Sequence, residues 1–440
     1  SHSSEWVSLF SVLAHDLSCM NSTNNSPASF LRGYAITIIV TGILILSFNV
    51  FMDPYGALGT PRFEGINANK PELSTHTRLG KTFVVLRVQP KGIVLGTSRS
   101  RQGLDPKHEG WDTSPVYSLA LGASNSYEVM RFFQHAHAVG PLEQAVIGLD
   151  FFQFNAFYKG GTVALNEDIL ATDANGNPAS LLSRTMQMLA VIGSIDWFMS
   201  SLKTPIKQNL EIKILENGFH NPKELLTSLR NDQGHRKRFL LSETAWMGGF
   251  YFPAPKRLYD FKNEITGVST FSYYRRILET SQRDGVDLRL LISPSHARQW
   301  VALETSGLWD KFEEWKRELV KINQQVASEY NSEPVPLWDF SGYHTYSTEE
   351  VPPLDDIETE MKWYIESSHY RKKLGDRILD RIFDYSDPDR TIAEDFGTKL
   401  TSPNIDAHLA KIREDQKRYR ETHPEDVEEI KQIYTGDLKP

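Results

Sequence analysis

Two short segments, far apart in the chain, hold residue types that together could carry out nucleophilic acyl chemistry. They are Ile93-Val94-Leu95-Gly96-Thr97-Ser98-Arg99 and Trp363-Tyr364-Ile365-Glu366-Ser367-Ser368-His369. The first reads as a buried strand that delivers a serine at its C-terminal end. The second supplies a histidine with a carboxylate three positions before it. A serine hydroxyl is a poor nucleophile at neutral pH, and it needs a base within hydrogen-bond reach that is itself oriented by a carboxylate. Ser98, His369 and Glu366 fill these roles by type, which points to a serine hydrolase or an acyl transferase.

Each candidate has a plainer reading. Taken alone, Ser98 reads first as a helix N-cap, because a serine there satisfies a free backbone N–H. His296, in Ser293-Pro294-Ser295-His296 after an apolar run, is the rival base, but it lacks a carboxylate nearby in sequence and reads more simply as a loop or substrate-contacting histidine. Arg99 suits either a grip on an anionic substrate or a salt bridge. Asp150 ends an apolar strand at the edge where Ser98 lies, suited to hydrogen-bond the Ser98 loop or a substrate hydroxyl, or to cap loop amides. His135-Ala136-His137 does not make a metal pair, since helix positions two apart face different ways; both read as surface residues. No HExxH, P-loop or dinucleotide fingerprint occurs, and Cys19 is the single cysteine. No cofactor and no metal are expected.

The elements that must position these residues follow from hydrophobic periodicity. Apolar runs of strand length recur at 92–95, 116–119, 144–149, 286–293 and 335–338, with amphipathic helical spacing at 127–136, 271–281 and 308–330. Alternating strands and helices, with continuous rather than alternating apolar strands, predict an α/β fold whose parallel sheet is covered on both faces. Residues 158–266 break the alternation and read as a mostly helical insertion over the C-terminal edge of the sheet.

The uncharged run from 35 to 52 is long enough to cross a membrane, with Arg32 before it and Asp53 after it. It reads as an uncleaved signal anchor over 34–52, preceded by a tail (1–33) and followed by a turn-rich neck (53–89). Ser1 opens the sequence and Met20 precedes the apolar run, so residues 1–19 read as an upstream translation or fragment artefact. The α/β domain spans 90–385, and 386–440 reads as a charged helical tail exposed to solvent. At 440 residues, 40% hydrophobic and 24% charged, the chain can bury a large core. Its net charge of −8 with interspersed signs gives no basic stripe for nucleic acid.

Three blocks in order resemble the SGNH (GDSL-like) hydrolases. Gly96-Thr97-Ser98 resembles their Gly-Asp-Ser block, Gly122 in Leu119-Ala120-Leu121-Gly122-Ala123-Ser124-Asn125 their second-block glycine, and Glu366-x-x-His369 their C-terminal Asp-x-x-His. The resemblance spans roughly residues 90–380 and is closest to the membrane-anchored branch that modifies extracytoplasmic polysaccharides, as in alginate O-acetylation. It implies a flavodoxin-like parallel sheet sandwiched by helices, with Ser98 as nucleophile, His369 as base and Glu366 as its orienting acid. It also implies an oxyanion site at the Ser98 and Gly122 N–H groups. Two departures stand out. Glu366 replaces the usual aspartate, with Asp339 after the strand at 335–338 as a spare carboxylate. The third block, Gly148-Leu149-Asp150-Phe151-Phe152-Gln153-Phe154-Asn155, lacks the family's amide, and an ionised aspartate cannot donate. The third oxyanion donor is then Asn125, Asn155 or absent, with Asn125 favoured, although an N-cap explains Asn125 equally well.

The combined expectation is a single-pass membrane protein with an extracytoplasmic, periplasmic or cell-surface esterase or O-acyl(acetyl)transferase domain. Its substrate would be an exported or cell-surface polysaccharide, and other polysaccharide export or acetylation proteins would be its partners. The alternatives are a membrane-tethered glycan-binding or assembly subunit with a decayed site, and a cytosolic serine hydrolase whose apolar run is a core helix.

Overall fold

In the computed structural model, residues 27–161, 165–231 and 234–438 are described. Most of the N-terminal tail, including Cys19 and residues 1–19, lies outside them. The first element, α1 (Pro27–Met52), is long and apolar enough to cross a membrane, with a mean hydropathy of 2.3 and almost no burial against the rest of the chain. Where a neck was expected, α2 (Thr77–Val88) forms instead and sends Val84 and Val85 into the main core. Its Thr-Arg-Leu-Gly-Lys-Thr start masked the helical period.

The α/β unit then runs β1 (Gly92–Leu95), α3 (Ser98–Gly103), β2 (Val116–Ser118), α4 (Ser126–Val139) and β3 (Gln144–Leu149). A helical segment follows, with α5 (Leu181–Ile192), α6 (Ile195–Ile206), α7 (Pro222–Asn231) and α8 (Gly234–Ala245), the last continued by a wider turn over Trp246–Phe250. The sheet resumes through α9 (Phe271–Asp284), β4 (Asp287–Ile292), α10 (Ala297–Thr305), α11 (Trp309–Glu329), β5 (Leu337–Asp339), α12 (Lys372–Phe383) and β6 (Thr398–Lys399). Two helices close the chain, α13 (Ile405–Thr422) and α14 (Pro424–Thr435).

The six strands lie in the order β2-β1-β3-β4-β5-β6, parallel except for the edge strand β6. Successive side chains point to opposite faces of a strand, so β1 divides its residues between two cores. Ile93 and Leu95 pack with Phe132, Phe133 and Trp315 on one face, and Val94 with Leu291, Leu374 and Ile378 on the other. Burial on both faces is why these strands read as continuous apolar runs. The order reverses direction at β1/β3, where open α/β sheets bind ligands beyond the strand C-termini.

The C-terminal segment is not a solvated tail. Leu409, Ile412, Ile430 and Ile433 are buried in the main core, at the three- and four-residue spacing of an inward helical stripe hidden among charges. The Arg298 guanidinium, fully buried, joins Glu243 of α8 (2.7 Å) to Asp426 and Glu429 of α14 (2.5 and 2.6 Å). This ion network fastens the helical insertion and the chain end to the sheet.

Candidate active site

The turn after β1 is built around Gly96, whose φ of +128° is a conformation L side chains avoid. A Cβ there would lie 2.3 Å from Ser100 Oγ and 2.8 Å from the Gly148 carbonyl, so only glycine fits. Thr97 caps α3: its Oγ1 accepts from Arg99 N at 3.2 Å and donates to the buried Asp150 carboxylate. Capping therefore falls to Thr97, one residue earlier than the N-cap reading of Ser98. Ser98 becomes the first helical residue, its N–H without an intrahelical acceptor and its hydroxyl free to turn outward.

That hydroxyl meets His369, with Ser98 Oγ donating to His369 Nε2 at 2.7 Å. On the other side of the ring, His369 Nδ1 donates to Glu366 Oε1. An ionised carboxylate only accepts, so the proton sits on Nδ1 and Nε2 is left as an acceptor. Both side chains come from one tight turn, closed by the Tyr364–Tyr370 bridge and by Ile365 N donating to the His369 carbonyl at 2.9 Å. This folding brings positions 366 and 369 to the same side and accommodates the extra methylene of glutamate. Burial alone would push the Glu366 carboxyl up. The neighbouring His369 and hydrogen bonds from His369, Ser242 and the Ser368 N–H outweigh it and hold the group down to about 2.

The turn is anchored by residues that sequence reading did not assign to it. His235, on α8, hydrogen-bonds the Ile365 carbonyl through Nδ1 (2.9 Å) and accepts from Met361 N through Nε2 (2.9 Å). Ser367 Oγ donates to Gln299 Oε1 at 2.8 Å. These contacts come from elements distant in sequence, and no local motif announces them.

Gly122 sits in a loop tied to the same turn, for Leu121 N and Ser124 Oγ both donate to the Gly96 carbonyl at 3.0 Å. Its own carbonyl accepts from Arg78 Nη2 at 3.3 Å. A cavity of about 490 Å³ opens beside it, lined by Arg78, Arg101, Tyr158 and Phe250 among others.

The remaining candidates lie elsewhere or do other work. Asn125 caps α4, its Oδ1 accepting from Glu128 N at 2.9 Å, and it borders a different cavity from Gly122. Asn155 donates to the Tyr251 and Leu258 carbonyls (3.2 and 3.0 Å) and holds a loop. Arg99 turns inward, pairing with Asp150 at 2.8 Å and lying 5.0 Å above the Trp246 ring, so it is not presented to a glycan. Asp150 thereby supports the Ser98 turn from beneath.

His296 is buried and caps α10. Its Nε2–H donates to the Glu349 carbonyl (2.6 Å), its Nδ1 accepts from Arg298 N (3.3 Å), and its N–H holds the Ser367 carbonyl at 2.9 Å. Burial draws its pKa down to about 4, so it is a neutral brace of the turn that carries Glu366 and His369, with neither nitrogen spare for a serine. Asp339 is engaged by Lys316 and His408, each at 2.8 Å, away from His369. Of the pair read as surface residues, His135 is buried between the Thr82 carbonyl and the Ala171 N–H, while His137 is half-exposed and pairs with Asp284.

No known family model matches the chain, and comparison with curated proteins gives no significant match.

Proposed function

We propose that this protein is a membrane-anchored serine esterase or O-acyltransferase of the SGNH type, acting outside the cytoplasm on an acylated polysaccharide. The observation that carries the reading is the chain of hydrogen bonds from Ser98 Oγ through His369 to Glu366, set at the C-terminal edge of a parallel sheet. Ser98 Oγ attacks the ester carbonyl as His369 Nε2 takes its proton, and Glu366 stabilises the resulting imidazolium. The tetrahedral oxygen is received by the Ser98 and Gly122 N–H groups. The alcohol leaves with the proton returned by His369, and the acyl group on Ser98 then passes to water or to a sugar hydroxyl. The strand order β2-β1-β3-β4-β5 agrees with a flavodoxin-like sandwich. The apolar α1 supplies the anchor.

An intact base-and-acid pair at the serine favours catalysis over a decayed glycan-binding site. Turnover of a small acetyl ester by the full-length protein in detergent tests this. Ser98→Ala and His369→Ala are each expected to abolish it while the circular dichroism spectrum is unchanged. Turnover surviving in both variants would reject the assignment.

A further inference from the structure

The cavity beside Gly122 is lined by two arginines, Arg78 and Arg101. Arg78 is matched, since its Nε and Nη2 meet the two oxygens of Glu128, the latter at 3.0 Å. Arg101, one turn after Ser98 on α3, has no ion-pair or hydrogen-bond partner for its guanidinium among the described residues, and its Nε is buried without an acceptor. The Nη1 and Nη2 atoms pass alongside Gly122, 3.5 and 3.7 Å from where a Cβ would sit on that glycine. Burial, and the like charge of Arg78, outweigh the attraction of Glu224 and draw the pKa of Arg101 down to about 10, which leaves it charged at neutral pH. A half-buried cation that Glu224 attracts only through space, with no carboxylate in contact, is costly to hold. Its planar fork is shaped for a two-point carboxylate contact.

We propose that Arg101 is an anion subsite that takes the carboxylate of an acidic sugar, placing the ester of that sugar against Ser98 and Gly122. This rests on the acyl-ester reading above and narrows it to acidic glycans. The test has a binding arm and a turnover arm. In a Ser98→Ala background, full-length protein in detergent is titrated calorimetrically with an oligoglucuronate, a neutral cello-oligosaccharide and inorganic phosphate. The oligoglucuronate is expected to bind, with affinity falling at least tenfold on Arg101→Gln and partly retained in Arg101→Lys. Equal affinity in folded Arg101→Gln overturns the subsite, and tighter binding of phosphate than of oligoglucuronate overturns the carboxylate assignment.

In the turnover arm, Arg101→Gln is expected to raise KM for an ester bearing a carboxylate while leaving a neutral aryl acetate unchanged. An equal loss of kcat on both would make Arg101 an oxyanion donor and reject the subsite. Because the binding arm needs no turnover, failure of ester cleavage and failure of the subsite are read separately.

We also infer that the α5–α6 hairpin lies in the membrane interface beside α1. Ile195, Met199, Leu202 and Ile206 recur every three or four residues as an exposed apolar stripe, and Leu182, Met186 and Leu189 do the same on α5. Ile195 and Ile206 are 80% and 81% exposed. Between 181 and 206 the only charges are Arg184, Asp196 and Lys203. The hairpin is docked on the last turns of α1: Asn49 Nδ2 donates to the Ile192 carbonyl at 2.7 Å, Trp197 Nε1 to the Asn49 carbonyl, and Phe48 meets Phe198 edge-on. The apolar surface of α1 therefore continues onto the hairpin at the level where α1 would leave the hydrocarbon. Exposed apolar stripes of this kind lie in the headgroup boundary.

Full-length protein carrying Cys19→Ser is labelled with an environment-sensitive nitrobenzoxadiazole at single cysteines replacing Leu182, Met199 or Ile206, with Ile357, exposed outside the hairpin, as the control. In nanodiscs of phosphatidylcholine and phosphatidylglycerol, blue-shifted emission and quenching by doxyl lipids are expected at the hairpin positions only. Emission as water-like as at position 357 overturns the placement.

Discussion

Replacing Glu366 with glutamine preserves the side-chain shape and removes the charge on which the proposed base depends. The wild-type carboxyl is held at about 2 against an ordinary 4.5. At 1.36 kcal/mol per pH unit, this amounts to about 3 kcal/mol in favour of the charged form within this buried turn. Glutamine also offers an N–H to His369 Nδ1, which would place the ring proton on Nε2 and block acceptance from Ser98. The loss of about 3 kcal/mol from the imidazolium-bearing transition state corresponds to a fall in kcat of roughly 10²-fold, with KM little changed. Steady-state hydrolysis of a neutral acetyl ester measures it.

The same substitution should alter acid stability. A carboxyl depressed in the folded state stabilises the fold fully above its ordinary value, and that contribution is lost as pH falls from 4.5 toward about 2. Denaturant midpoints are therefore expected to drop over that interval more steeply in wild type than in Glu366→Gln. A kcat within threefold of wild type, together with parallel acid limbs, would refute the role of Glu366.

Three further outcomes follow from the geometry. Gly96→Ala, which forces a Cβ against Ser100 and Gly148, is expected to destabilise the protein by at least about 2 kcal/mol and to remove activity, as read by urea unfolding and ester turnover. Asp150→Asn leaves the buried Arg99 without its counter-charge and should cost roughly 3–5 kcal/mol in the same unfolding assay. His296→Gln is expected to retain kcat within about tenfold, whereas His369→Ala loses the roughly 10²–10⁴-fold supplied by a general base; the reverse order would make His296 the base.

Elements with a strong local period were legible in the sequence. β1 and β3 begin and end where their continuous apolar runs do, since both faces of these strands are buried. The edge strand β6 was not legible, because two residues, Thr398 and Lys399, pair with β5 without an apolar pattern of their own. The closing helices were misread because charge dominates their composition while a narrow apolar stripe does the packing. At the site, Ser98, Glu366 and His369 stood in short blocks whose chemistry is local. The residues that brace them do not: His235 and Ser242 reach Glu366 and its turn from more than a hundred positions away, and Arg101 is notable only because the fold leaves its buried Nε without a hydrogen-bond partner. Asn125 and Asp339 illustrate the converse. Their residue types suited the chemistry, but the nearest demands on them were a helix cap and a buried lysine.

The central claim is that Ser98 is a nucleophile activated by His369. Intact full-length protein, treated with a fluorophosphonate and analysed by peptide mass spectrometry, tests it without assuming any substrate. The account expects one adduct, on Ser98, formed rapidly in wild type and at least about 10²-fold more slowly in His369→Ala. An adduct on another serine, or equal rates in the two proteins, would contradict it.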